Sequence, residues 1–104
     1  MRKVVVTNNP KAPYRRAMIF APDDGGWVYL FLFRSLEDGP CEADWLYEDV
    51  AGAEHHAAQD LCCEMLNWQP IPDPLPECQD DWIAPVRAVR DAAGRIRFEH
   101  LTEQ

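Results

Sequence analysis

Trp27-Val28-Tyr29-Leu30-Phe31-Leu32-Phe33 is the stretch whose reading decides the fold. Its residues sort by parity. Trp27, Tyr29, Phe31 and Phe33 fall on one side and Val28, Leu30 and Leu32 on the other, the period of two expected of a β-strand. Because both sides are apolar, the strand belongs inside a sheet covered on both faces. The preceding Ala21-Pro22-Asp23-Asp24-Gly25-Gly26 is dense in turn-forming residues, so residues 16–20 become its hairpin partner. The β-branched run at residues 2–7 adds a further strand.

Working outward toward the C-terminus, Trp45-Leu46-Tyr47 is a short apolar patch in extended chain. Asp49 is an N-cap candidate, and the spacing predicts a helix over 50–66 with Asn67 in the left-handed closing position. At 100° per residue, Val50, Ala53, Ala57, Ala58, Leu61 and Met65 share one side, while His56, Gln59, Asp60 and Cys63 point away. Gly52 weakens the first turn by about 1 kcal/mol relative to Ala. Residues 83–90 and 95–101 flank Asp91-Ala92-Ala93-Gly94 and predict a hairpin. The expected architecture is a single α+β domain over 1–104: an antiparallel sheet of four or five strands, with the helix on the aliphatic face of the 27–33 strand.

One helix covers one face only. The cover for the aromatic face is expected from residues 68–82, where Pro70, Pro72, Pro74 and Pro76 fall on alternate positions. Each fixes its own φ, removes a backbone donor and keeps the preceding residue out of the helical region, so the segment is extended and cannot be an inner strand. It is expected to fold back over Trp27, Tyr29, Phe31 and Phe33 with Trp68 and Trp82 as anchors. The rival cover is a second copy of the chain, since a bare apolar patch of several hundred Å² marks an interface.

The chain carries a formal charge of −8, unevenly spread. Residues 35–86 hold thirteen of the eighteen acidic residues and none of the ten basic ones, so that region is −13 and the remainder +5. This layout disfavours nucleic acid and anionic membrane surfaces, which recruit clustered Lys and Arg. The longest apolar run is far short of the roughly 20 residues of a spanning helix. The start of the chain lacks the apolar core of a secretory signal, which makes a cytoplasmic location the expectation. A hydrophobic fraction of 47% and four tryptophans argue for a folded chain despite nine prolines.

Chemistry-bearing constellations are sparse. His56, Asp60 and Cys63 stand at i, i+4 and i+7 on one side of the predicted helix and offer transition-metal ligands. A solvated helix face is the plainer reading, and no CxxC or HExxH spacing supports the metal. Cys62 and Cys63 are adjacent, a poor geometry for a bridge. Cys41 and Cys78 sit among carboxylates that raise a thiol pKa. No cofactor-binding pattern stands out. A pocket between the proline segment and the aromatic face, lined by Tyr29, Trp68 or Trp82, is a further enzymatic reading. The leading expectation is a non-catalytic interaction module. It would bind a basic protein surface through Glu37, Asp38, Glu42, Asp44, Asp73, Glu77, Asp80 and Asp81, or pair with itself as a homodimer. The alternative is a small metal-binding protein or metal-dependent enzyme using His56, Asp60 and Cys63.

Overall fold

The computed structural model of the chain describes residues 1–63 and 66–101. Strands β1 (Arg2–Val6), β2 (Arg16–Phe20), β3 (Val28–Phe33), β4 (Ala43–Tyr47) and β5 (Gln69–Ile71) form one sheet in the order β4-β3-β2-β1-β5, each pair antiparallel. Helix α1 (Val50–Asp60) follows β4, and β6 (Val86–Arg90) pairs with β7 (Ile96–His100) in a separate two-stranded sheet. This is the expected α+β arrangement. Strands β1 to β4 form a meander, because turn-rich connections favour pairing with the nearest neighbour. The helix then carries the chain from the β4 edge back to the β5 edge.

The strand that decided the reading lies one place in from the β4 edge. Leu30 and Leu32 are fully buried on its helix side, with Ile19, Ala17 and Val5 beside them and Ala53, Ala57 and Leu61 above. Alanines on the inner side of α1 let the helix sit close to the sheet, and each fully buried leucine contributes about 1.5–3 kcal/mol. Asp49 caps the helix by accepting a 2.8 Å hydrogen bond from the Gly52 N–H. A Cβ on Gly52 would stand 3.0 Å from Tyr47 Cδ1 and 3.3 Å from Asp49 Oδ1, so this glycine makes room for both ring and cap.

The helix ends earlier than its apolar spacing predicts. Cys62 takes φ 52°, its N–H donates to Gln59 O, and the Cys63 N–H donates to Ala58 O at 3.1 Å. This is a Schellman closure with cysteine, rather than Asn67, in the left-handed position. Leu61 keeps its place in the core just past the last helical turn. Glu64 and Met65, including the core role expected of Met65, lie outside the described residues.

On the other face, the register pairs Arg2 with Phe20 and Ile71, Met18 with Phe31, and Arg16 with Phe33. Met18, Phe31 and Phe33 are buried there with Ile71 and Cys41 packed against them. The proline segment does close over this face, through an unexpected post. The buried Arg2 guanidinium donates to the carbonyls of Pro72 (2.8 Å), Asp80 (3.0 Å), Trp82 and Ile83 (3.5 Å). The anchors differ from those expected. Trp68 packs on the opposite, helix-side core, where Lys3 Nζ lies 5.0 Å from its ring. Trp82 turns to the β6–β7 hairpin, 5.1 Å from the Phe98 ring and 5.9 Å from that of His100. The aromatic row is therefore graded: Phe31 and Phe33 are buried, Tyr29 is half-buried and Trp27 is exposed.

Among the described residues, no other strand and no helix comes alongside the β6–β7 hairpin. It joins the body through Trp82, buried Val86 and the hydrogen bond from Gln79 N–H to Val86 O.

Candidate functional site

Several of the acidic residues are engaged by donors of the chain itself. Asp38 accepts from the backbone N–H groups of Ile83 and Ala84, both at 2.9 Å, and Asp81 accepts from the Cys41 N–H at 2.7 Å. Asp73 lies 3.0 Å from the terminal ammonium, and Glu42 lies 3.4 Å from Arg34. Asp80 sits beside Arg2, its pKa raised mainly by burial, with the Arg2 charge opposing and Asp81 adding. Buried Arg16 stacks 4.0 Å from the Phe33 ring centroid and donates to Glu37 O, with Asp38 and Asp81 supporting its charge. Asp38, Asp80 and Asp81 therefore face two buried arginines and tie loop 35–41 and segment 72–84 to the sheet. Glu37, Asp38, Glu42, Asp44, Asp73 and Glu77 are exposed, and Asp80 and Asp81 are half-buried.

His56 and Asp60 are brought together, with His56 Nε2 2.9 Å from Asp60 Oδ2, while His56 Nδ1 meets the Tyr47 hydroxyl. An imidazole with its proton on Nε2 satisfies both contacts, donating to Asp60 and accepting from Tyr47. The Trp45 ring packs against the same imidazole at 5.3 Å and 66°. The result is a clamp between β4 and α1. Cys63 lies beyond the left-handed turn, in an open recess with His55, Ala58, Gln59 and Cys62. Among the described residues, no three His, Cys, Asp or Glu side chains are placed to hold a metal ion.

The space between the proline segment and Arg2, bordered by Pro72, Leu75 and Trp82, amounts to about 100 Å³. Small-molecule sites usually measure about 300–1,000 Å³. The Cys41 thiol pKa is pushed up to about 12, first by burial and then by Asp81, so this thiol stays protonated at neutral pH. Among the described residues, no helix is long and apolar enough to cross a membrane.

What remains open is the β4 edge. β4 pairs with β3 from Val28↔Tyr47 to Leu32↔Ala43, and among the described residues no strand lies on its outer side. Trp45 is 53% exposed, Leu46 54% and the neighbouring Trp27 55%. Trp27 and Glu48 border a shallow recess of about 260 Å³ with Gly25 and Gly26. Glu42, Asp44, Glu48 and Asp49 stand along or beside the strand. The sequence reading passed over Trp45-Leu46-Tyr47 as a minor patch. Its signal was that both parities are apolar, acids flank it and it contains no proline.

The opposite edge is closed. Pro70 stands at the centre of β5, opposite Lys3. A proline cannot donate to the ladder, so its nitrogen takes the outward position that an edge strand allows. Comparison with family models, with curated proteins and with solved structures finds no match to this chain.

Proposed function

We propose that the chain is a non-catalytic interaction module that takes an extended, basic segment of a protein partner onto β4 as an added strand. The observation that carries this reading is the unprotected β4 edge, with Trp45 and Leu46 more than half exposed. Proteins ordinarily blunt such an edge with proline, lysine or a bulge, and β4 has none of these. Strand addition takes its affinity from main-chain hydrogen bonds and its selectivity from side-chain positions on alternate faces. Here Leu46 and the half-buried Tyr29 share one face, while Trp45 stands on the other. Glu42, Asp44 and Glu48 select positive charge and make binding depend on salt.

The test is an NMR titration of the full chain with an extended peptide alternating arginine and valine. Shift changes should concentrate on residues 43–48 and Trp27, weaken with added salt, and disappear in Leu46→Lys, which places a like charge on the edge. Shifts that avoid β4, or binding indifferent to salt, overturn the reading.

A further inference from the structure

We infer that the segment docking on β4 is the β6–β7 hairpin of a second copy of this chain, an inference that rests on the β4 edge being the binding site. The hairpin is the chemical complement of that edge. It carries Arg87, Arg90, Arg95 and Arg97 against Asp91 and Glu99, while Asp44 and Glu48 lie at β4 beside Glu42, which pairs with Arg34, and Asp49, which caps α1. Its own acids are largely occupied: Glu99 meets Arg87 at 3.1 Å and Arg97 at 3.5 Å, and Asp91 accepts from the Ala93 and Arg95 N–H groups inside the turn. Among the described residues, Arg90 reaches only the Gly94 carbonyl. Positive charge is therefore left for a partner.

The apolar side chains and lengths agree as well. Ile96 is 60% and Phe98 40% exposed on the hairpin, against Trp45 and Leu46 on β4. Both β4 and β7 are five residues long, and neither contains proline. A two-stranded ribbon is marginal alone in water, and among the described residues no other strand or helix lies alongside this one. Laid on β4 of a second copy, it gains a third strand and extends that copy's sheet. The hairpin and β4 are different surfaces, so the contact is head-to-tail: reciprocal docking closes a dimer, and one-way docking builds a longer chain.

Sedimentation velocity of the full chain over a concentration series tests this, with Leu46→Lys and Ile96→Glu as variants. Both positions are exposed, and thermal melting checks that each variant is folded. The wild type should associate, and each variant should weaken association at least about tenfold. An equimolar mixture should recover a heterodimer, because one copy keeps its hairpin and the other its edge. Raised salt should weaken all of these contacts. Association of Leu46→Lys at wild-type strength, or a mixture that stays monomeric, overturns the inference. A monomeric wild type whose β4 still takes up the arginine-valine peptide overturns this inference alone, whereas loss of peptide binding as well removes the underlying reading.

Discussion

β5 ends the sheet with three residues, Pro70 at its centre and Pro72 just beyond, and a buried arginine holds the chain that follows. β4 ends the same sheet with five residues, no proline, and two large apolar side chains more than half exposed. An edge strand presents a row of unpaired backbone groups and recruits other chains unless something prevents it. One side of this sheet is closed by prolines and a buried arginine, and as protection the other carries only acidic side chains along its edge. The proposed strand addition at β4 rests on that contrast.

The largest expected effect comes from breaking the closed side. Arg2→Ala leaves the carbonyls of Pro72, Asp80 and Trp82 without their donor and removes the charge facing Asp80 and Asp81. A loss of about 3–5 kcal/mol is expected from urea denaturation, since removing one partner from a buried polar network strands the others. Arg2→Lys should restore only a minority of it, because an ammonium cannot reproduce the planar fork.

On the open side, His56→Ala removes the contacts to Tyr47 and Asp60 and the ring beneath Trp45. A smaller loss of about 1–2 kcal/mol is expected. A red-shifted Trp emission should accompany it, marking release of Trp45 into water.

Pro70→Thr sharpens the comparison directly by placing an N–H on the outer side of β5. Stability should move by less than about 1 kcal/mol, while sedimentation should show added association that Leu46→Lys does not abolish. If β5 stays silent in this variant, proline is not what separates the two edges.

The smallest effect is at Asp80. Its raised pKa means the folded chain holds that proton more tightly than the unfolded one, so folding gains stability as pH falls through the window just above the ordinary carboxyl range of about 4. The same stability is lost as pH rises through the folded pKa. Asp80→Asn should therefore raise the melting temperature slightly at neutral pH and flatten that part of the pH profile. A fall in melting temperature would mean that the attraction of Arg2 outweighs burial.

Much of the fold could be read from local chemistry. The parity of residues 27–33 marked an inner strand with two covered faces, Asp49 marked the helix start, and the alternate prolines marked an extended lid. The candidate site was less legible. Nothing local distinguishes Trp45-Leu46 as an edge until the strand order is known, and nothing distinguishes Asp38 or Asp81 from solvated acids until Ile83, Ala84 and Cys41 are brought to them. Arg2 read as the basic start of a strand. Its role as a post depends on backbone carbonyls about 70–80 positions away, which the chain's pattern does not encode.

The sequence by itself determined that both faces of one strand must be buried, where the helix begins, and which segment is too rich in imino acids to pair inside a sheet, because these follow from periodicity and backbone donors. Only the tertiary structure decided which edge is shut and which is open, where the helix ends and which charges turn inward. Those outcomes depend on spatial order and on contacts between residues distant in the chain.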